Sequence, residues 1–233
     1  MHVTAIVPAA GGGSRMAAGV PKQYLLLAGV PLLVHTLKAL RVAGCVDSLI
    51  LVVPPGDEER CRREIVNPFG LLVDALVPGG ADRQASVYAG LLQSRPETDL
   101  FLVHDGARPF VAPAVVRASV AAAAESGGAV VATPVTDTIK VANREGQLVE
   151  TLDRGQLWAA QTPQVFRAAL FREAHLRAIQ DGFRATDDSA LVERLGHPVR
   201  LVAGSRENLK ITTTADLLLA EQILCERKMT KSQ

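Results

Sequence analysis

A turn rich in glycine follows the first apolar run of the chain, with the sequence Pro8-Ala9-Ala10-Gly11-Gly12-Gly13-Ser14-Arg15-Met16. Residues with little or no side chain let successive backbone N–H groups approach phosphate oxygens closely. The spacing excludes two familiar loops, because the dinucleotide fingerprint needs a third glycine where Met16 stands and the Walker loop needs Gly-Lys-Ser/Thr. The turn therefore predicts a nucleotide-phosphate site of neither class, with a plain structural turn as the alternative.

Two cations flank this turn and favour the phosphate interpretation. Arg15 closes the turn, and Lys22 follows in Pro21-Lys22-Gln23-Tyr24. Phosphoryl transfer depends mainly on positioning and on neutralising charge, which is what such cations supply. Either one alone is equally compatible with a solvated surface residue, so the prediction of catalytic cations depends on the pair.

Two further segments carry polar groups after predicted strands. His104-Asp105-Gly106-Ala107-Arg108-Pro109 offers a carboxylate for a ribose, a metal or a substrate hydroxyl, and a guanidinium for a phosphate. An internal ion pair between Asp105 and Arg108 is the alternative. In the second segment, Gly80 and Ser86 could present a backbone group and a hydroxyl to a base, although a simple helix entry would also explain them.

The elements that must position these residues follow an α/β rhythm. Short runs of β-branched apolar residues alternate with helical patterns, which is typical of a parallel sheet with crossover helices. We predict strands at Thr4 to Val7, Leu49 to Val53, Leu72 to Val77, Leu100 to His104, Ala129 to Thr133 and Val199 to Val202. We predict helices at Leu32 to Val42, Glu58 to Val66, Gln84 to Gln93, Ala114 to Glu125, Ala168 to Gln180, Asp188 to Leu195 and Thr214 to about Arg227.

Residues 137–153 depart from this rhythm. Two extended segments, TIKVA and QLVETL, surround the turn-like Asn143-Arg144-Glu145-Gly146 and predict a β-hairpin. Such a hairpin is only marginally stable alone. It must therefore pack on something, and the sequence leaves open whether that is its own domain or a partner subunit.

Composition limits the class of protein. The 233 residues, 48% of them hydrophobic, suit one domain spanning 1–233 with 137–153 as an arm. A net charge of +1 gives no field that would favour nucleic acid, so a small-molecule partner is expected. Cys45, Cys61 and Cys225 are scattered without metal-ligand spacing, and no run resembles a signal peptide or a membrane span. A cytoplasmic protein is the expectation.

Eight ordered segments resemble the 2-C-methyl-D-erythritol 4-phosphate cytidylyltransferases of the non-mevalonate isoprenoid pathway. They are VPAAGGGSRM, PKQY, PGGADRQASV, VHDGARPF, PVTDTIK, DRGQLWAAQTPQ, ATDDSAL and ENLKIT. The resemblance implies a Rossmann-like, mostly parallel sheet flanked by helices, the nucleotide-diphospho-sugar transferase fold. It also implies a reaction of CTP with methylerythritol phosphate, Mg²⁺ bound mainly through the CTP phosphates, and a homodimer formed through the hairpin arm.

The same resemblance implies roles for individual residues. Arg15 and Lys22 would be catalytic, stabilising charge on the α-phosphate, and no protein residue is expected as a metal ligand. Residues expected to bind the nucleotide are Ala9, Ala10, Gly11, Gly12, Gly13, Gly80, Ser86, Asp105 and Gly106. Residues expected to bind the acceptor are Asp105, Arg108, Thr138, Arg154, Thr162 and Lys210. The family often has an alanine where this chain has Gly106.

Three other functions remain possible at this stage. A ribitol-5-phosphate cytidylyltransferase would share the nucleotide loop and much of the fold. A non-catalytic nucleotide sensor could bind through the same loop, although Arg15 and Lys22 argue against it because tight binding alone does not require charge at the α-phosphate. A dehydrogenase is disfavoured by Met16 and by the lack of a clear acidic ribose ligand after the second strand.

Overall fold

The computed structural model describes residues 1–11 and 21–231 of the chain. The strands, in chain order, are β1 (Val3–Pro8), β2 (Leu26–Leu27), β3 (Val30–Pro31), β4 (Ser48–Val53), β5 (Ala75–Pro78), β6 (Leu100–Val103), β7 (Gly128–Pro134), β8 (Lys140–Ala142), β9 (Leu148–Thr151), β10 (Trp158–Arg167) and β11 (Arg200–Ala203). The helices are α1 (Leu32–Val42), α2 (Glu58–Cys61), α3 (Arg83–Leu92), α4 (Pro113–Ser126), α5 (Ala168–Gln180), α6 (Ser189–Arg194) and α7 (Thr214–Lys231).

In the described part of the chain, seven strands form one sheet in the order β11-β7-β10-β6-β1-β4-β5. All neighbouring pairs are parallel except those of β10, which runs antiparallel to both β6 and β7. The prediction of a mostly parallel, Rossmann-like α/β sheet is therefore confirmed. None of the described helices is long and apolar enough to cross a membrane.

Apolar side chains cover both faces of the sheet, which explains why its central strands have nearly continuous apolar sequences. All six residues of β4 are buried. One face packs on α1 and α4 through residues such as Leu37 and Val120. The opposite face packs on α3, α5 and α6, where Phe166 and Phe171 stack with ring centroids 4.8 Å apart.

Helix α7 closes one side of the molecule over a third, smaller apolar cluster. Leu27, Leu32, Phe110, Ile211 and Ala220 form this cluster. It packs the segment before α7 against the loop after β6, since Ile211 N–H donates to the Ala107 carbonyl at 2.9 Å. The segment that precedes α7 thereby lies at the carboxyl edge of the sheet.

Most predicted elements are confirmed. The short strands β2 and β3 were not predicted, and three larger differences concern the main sheet and one helix. The predicted strand at Leu72 begins only at Ala75. At Asp74 the backbone N–H donates to Leu49 O, but the side chain rather than a backbone carbonyl accepts the Leu49 N–H, each at 2.8 Å, so the regular ladder starts beyond it. The helix predicted over 58–66 changes after Cys61 into a wider turn, with Asn67 N–H donating to Arg62 O at 2.9 Å. The strand β10 was not predicted, because Gln161, Thr162 and Pro163 interrupt its apolar pattern and its pairing register shifts there.

The hairpin of β8 and β9 is present as predicted, and every residue in the two strands is exposed. It does not fold back onto its own sheet, which was one of the two alternatives. Within the described chain, the two strands of the hairpin predicted at 137–153 thus have no apolar core.

Candidate active site

A cavity of about 390 Å³ opens at the carboxyl edge of the sheet, where β1, β5 and β6 end. Backbone hydrogen bonds extend the strand pairing into its walls: Ala9 N–H donates to Val52 O at 2.7 Å and Gly106 N–H to Pro8 O at 3.2 Å. The predicted site residues that line it are Ala9, Ala10, Gly11, Gly80, Ser86, Asp105, Gly106 and Lys210. Segments that are far apart in sequence thus meet at one edge, as parallel strands require.

Small residues form one wall of the cavity because the backbones approach closely there. A Cβ added to Gly80 would lie 2.5 Å from the Cβ of Ala85, and one added to Gly79 would overlap the Cβ of Ala10. The Ser86 hydroxyl accepts from Gly80 N–H at 3.1 Å and donates to Asp82 O at 2.8 Å. Asp82 also caps α3, so the helix entry and the cavity wall are the same structure.

Asp105 lies at the centre of a cluster of cations. Its Oδ1 is 3.2 Å from Arg83 Nε, and its Oδ2 is 2.8 Å from Lys210 Nζ and 3.5 Å from Arg108 Nε. The ion pair between Asp105 and Arg108 that the sequence left open is therefore present. Arg83 also pairs with Asp188 at 2.6 Å, so the three cations of this cluster face two carboxylates and leave one net positive charge, which suits an anionic ligand.

Burial and charge shift the pKa values of this cluster. Burial alone would raise the pKa of Asp105, but Arg83, Lys210 and Arg108 hold it well below its usual range, so the carboxylate stays ionised. Burial lowers the pKa of Arg108, an effect that Asp105 opposes. Arg83 stays charged, because Asp188 and Asp105 outweigh its burial and raise its pKa.

Arg83 and Asp188 are site residues that the sequence analysis did not single out. Arg83 lines the cavity and pairs with Asp188, which is 1% exposed, at 2.6 Å. Asp188 lies just before α6, in the ATDDSAL segment. Arg83 lies in PGGADRQASV and Asp188 in ATDDSAL, two of the segments that resemble the family. A charged residue within each of these segments is the sequence signal that could have identified them.

Arg108 and Thr162 lie beside the cavity rather than in its lining. Arg108 is nearly buried, and its guanidinium donates to Asn208 O at 2.7 Å. Thr162 is 3% exposed, and its hydroxyl bonds to His104 Nδ1 and to Asp105 N–H, both at 3.0 Å. Asn208 was also missed, although it lies in the ENLKIT segment.

Thr138 and Arg154 lie at the base of the hairpin arm and do not line the cavity of their own chain. Both are exposed, and Arg154 donates to Thr136 O at 3.1 Å. Within a single chain, Thr138 and Arg154 therefore do not lie with the predicted site residues that line the cavity.

Gly12, Gly13 and Arg15 lie outside the described residues, and Lys22 is described only by its backbone. Lys22–Tyr24 form one turn of 3₁₀ helix, and Gln23 of this turn lines the cavity. The Tyr24 hydroxyl donates to Asp57 Oδ2 at 2.8 Å, which fastens the turn to the start of α2. The backbone that carries Lys22 therefore borders the cavity.

The described residues contain no group of three or more His, Cys, Asp or Glu side chains that could hold a metal ion by themselves. The cavity offers Asp105 and Asp82 as oxygen donors. Mg²⁺ commonly uses one or two carboxylates together with substrate phosphates and waters. Asp105 already pairs with three cations and Asp82 caps α3, so these two carboxylates form no cage of their own, and a Mg²⁺ ion would be held mainly by the phosphates of a bound polyphosphate.

Comparison with known proteins identifies the family. Residues 3–226 match the model described as IspD, 2-C-methyl-D-erythritol 4-phosphate cytidylyltransferase. A protein of that name from Pelotomaculum thermopropionicum is 49% identical over 227 residues, covering 97% of this chain and 95% of its own. The crystal structure of the enzyme of that name from Thermus thermophilus is 40% identical with a TM-score of 0.79, covering 96% of this chain and 98% of its own.

A second solved structure, titled 4-diphosphocytidyl-2C-methyl-D-erythritol synthase, comes from Anaerococcus prevotii. It is 29% identical and has a TM-score of 0.85, covering 96% of each chain. Both the matched length and the arrangement of strands thus agree with the sequence resemblance. The chain belongs to the 2-C-methyl-D-erythritol 4-phosphate cytidylyltransferase family.

Proposed function

We propose that this chain transfers CMP from CTP to 2-C-methyl-D-erythritol 4-phosphate, giving 4-diphosphocytidyl-2-C-methyl-D-erythritol and pyrophosphate. An oxygen of the acceptor phosphate attacks the α-phosphorus of CTP, and the bond from that phosphorus to the oxygen bridging to the β-phosphate breaks. The observation that carries the proposal is the family match over residues 3–226. The reaction needs no protein nucleophile, so the side chains serve to position the substrates and neutralise charge.

The nucleotide side of the site follows from the cavity walls. The backbone of Ala9–Gly13 would bind the triphosphate, Gly80 and Ser86 the cytosine, and Asp105 and Gly106 the ribose. The tight packing around Gly79 and Gly80 supports this assignment, because it fixes the backbone groups before a ligand arrives. Arg15 and Lys22 would stabilise the negative charge that develops at the α-phosphate. Mg²⁺ bound to the CTP phosphates would neutralise further charge there.

The acceptor side draws on residues from two regions. Arg108 and Lys210 lie around Asp105, where the excess of positive charge suits a phosphate, and Thr162 accepts the Asp105 N–H behind them. Thr138 and Arg154 belong to the arm, so their participation requires that the arm of a second subunit reach this site. The exposed apolar side chains Val141, Leu148, Val149 and Trp158 support a homodimer formed through the arm.

The same proposal extends to the location of the enzyme. Cys45, Cys61 and Cys225 are all free thiols, which is consistent with a reducing compartment. We therefore propose that the enzyme acts in the cytoplasm on small substrates, without nucleic acid or membrane partners.

Pyrophosphate release with CTP and Mg²⁺ tests the function. Methylerythritol phosphate and ribitol 5-phosphate are compared as acceptors, with UTP and ATP in place of CTP as controls. Release that requires both CTP and methylerythritol phosphate is the expected result. Faster release with ribitol phosphate would keep the chemistry and overturn the acceptor. No release with any pair would contradict catalysis altogether.

A further inference from the structure

A chain of three hydrogen bonds begins and ends in the turn after β6. Asp105 N–H donates to Thr162 Oγ1, Thr162 Oγ1 bonds to His104 Nδ1, and His104 Nε2 bonds to Arg108 O, each at 3.0 Å. The turn itself is closed by Arg108 N–H donating to Asp105 O, also at 3.0 Å. His104 and Thr162 therefore support, from the buried side, the turn that presents Asp105 and Arg108.

The chemistry of the partners fixes the direction of every bond in this chain. A carbonyl oxygen can only accept, so His104 Nε2 carries the proton that is donated to Arg108 O. The ring is fully buried, which disfavours its charged form, so the imidazole is neutral and its Nδ1 is an acceptor. Thr162 must then donate its hydroxyl proton to Nδ1 while it accepts from Asp105 N–H.

The same assignment limits what Thr162 can do for a ligand. Its single hydroxyl proton is already donated to His104, and it is 3% exposed. A phosphate oxygen offers no proton, so the hydroxyl could bind it only by giving up the His104 bond. Thr162 is thus poorly suited to hold the acceptor phosphate directly.

A second set of bonds links the same residues to the guanidinium of Arg108. Asn208 Nδ2 donates to Thr162 O at 2.8 Å, and Arg108 donates to Asn208 O at 2.7 Å. Arg108 is therefore held at its backbone by His104 and at its guanidinium through Asn208. The two paths meet at Thr162.

We propose that His104 and Thr162 are positioning residues for the acceptor side of the site, which act through the Asp105–Arg108 turn without touching substrate. The inference rests on the proposed function for its effect on activity. The hydrogen-bond chain itself can be tested without substrate.

The first experiment measures the imidazole nitrogens of His104 by NMR in uniformly ¹⁵N-labelled protein at pH 7.5. The chain has five histidines, and loss of one signal set in His104→Gln assigns the residue. We expect a protonated Nε2 and an unprotonated Nδ1. A ring protonated at Nδ1 would overturn the proposal, whatever the activity of the enzyme.

The second experiment compares kinetics of Thr162→Val, which keeps the shape and removes the hydroxyl, with Thr162→Ser, which keeps the hydroxyl. His104→Gln can retain the donor to Arg108 O but removes the acceptor for Thr162. We expect Thr162→Val and His104→Gln each to lower kcat/KM for the acceptor by about ten- to a hundredfold, as misplaced catalytic groups do. Thr162→Ser should retain most of the activity.

The double variant separates positioning from direct contact. Because both substitutions remove the same bond, the double variant should be no slower than the slower single variant. If Thr162 instead contacts the acceptor, Thr162→Val alone will raise KM and His104→Gln will behave like the wild type, which would overturn the proposal. Wild-type kinetics in both single variants would overturn it as well.

Thr98→Val is the matched control for loss of a buried threonine hydroxyl. Thr98 bonds to Thr4 at 2.8 Å near the amino-terminal end of β6, at the opposite edge of the sheet. We expect it to lower the melting temperature without changing kcat/KM. If it slows catalysis as much as Thr162→Val does, the effect is general destabilisation and the positioning role is wrong. Absence of activity in the wild type would contradict the proposed function and leave the NMR result to decide on the chain of bonds.

Discussion

The Asp105 cluster and the hairpin arm are organised in opposite ways within one chain. The carboxylates of the cluster are buried and bonded to residues from distant segments, such as Arg83 to Asp188 across 105 positions. The arm is held by local bonds, such as Asn143 N–H to Gln147 O at 3.0 Å, and all residues of its two strands are exposed. The charged groups of the cluster find their partners within the same chain, whereas the strands of the arm bury no apolar side chains.

The difference shows how one fold can contain both a rigid site and an apolar surface that is left exposed. Buried charges need several partners, and these fix the geometry of the cluster before any ligand binds. A two-stranded hairpin with exposed Leu148 and Val149 is marginally stable until something covers it. We therefore expect changes at the cluster to act on chemistry, and changes in the arm to act on assembly.

The largest effect should come from the predicted catalytic cations. Lys22→Ala or Arg15→Ala is expected to lower kcat by about two to three orders of magnitude, the scale of a lost transition-state donor. Steady-state pyrophosphate release measures it. Lys38→Ala, an exposed lysine on α1, is the control and should leave kcat unchanged. Near-wild-type turnover in both cation variants would contradict their role.

Charges placed on the arm should break the proposed dimer. Leu148 and Val149 are 70% and 66% exposed, so changing both to Glu should alter the free energy of unfolding of a single chain by less than about 0.5 kcal/mol. A twofold interface would contain the added charges twice, so we expect monomers and about tenfold less activity at low protein concentration. Sedimentation velocity measures the first effect.

Leu218→Glu serves as the control for these arm variants, because Leu218 is similarly exposed but lies on α7. It should leave the oligomeric state unchanged. If the wild type is itself monomeric, or if the arm variants remain dimers, the proposed role of the arm is wrong.

Mixing two inactive variants tests whether the cavity of one subunit works with the arm of another. Lys22→Ala inactivates the cavity of its own subunit, and Arg154→Ala inactivates the arm. After subunit exchange, half of the dimers are mixed and each has one complete site, so about one quarter of the wild-type activity should return. Demonstrated exchange without recovery would place Arg154 in the site of its own subunit or outside any site.

The last effect concerns stability rather than catalysis and involves only residues of the main domain, not those of the arm. His104 and His175 are fully buried, and burial lowers the pKa of each to about 4. Between pH 6.5 and about 4 the unfolded chain binds these protons and the folded chain does not. The free energy of unfolding therefore falls as the pH falls, by up to ~1.4 kcal/mol per pH unit for each histidine.

Replacing His175 with Leu isolates one of these contributions, because its ring nitrogens have no hydrogen-bond partner among the described residues. Urea unfolding at pH 7.5, 6 and 5 should show a weaker pH dependence in this variant than in the wild type. The arm variants should keep the full dependence. Equal slopes in His175→Leu and the wild type would contradict the assignment.

The sequence predicted the sheet well because buried parallel strands have continuous apolar runs, as in β4. The sequence did not predict β10, because Gln161 and Thr162 are polar and Pro163 lacks an N–H. The side chains of Gln161 and Thr162 bond to residues around the cavity, which a strand pattern does not reveal. Asp105 and Lys210, which local segments led us to predict as site residues, both line the cavity. The sequence could not assign Arg83 or Asp188, because their importance arises from an ion pair between segments that meet only in the folded chain.

The position of β10 in the sheet has a consequence for the order of assembly during folding. Strands β1, β4, β5 and β6 pair with one another within the first 103 residues, whereas β7 joins them only through β10, which begins at Trp158. Pairings across long stretches of chain form late because loop closure must come first. We therefore expect the half that carries the predicted nucleotide site to form early in synthesis. The active site would be completed later, when β10 brings Thr162 beside His104 and the segment before α7 brings Lys210 to Asp105.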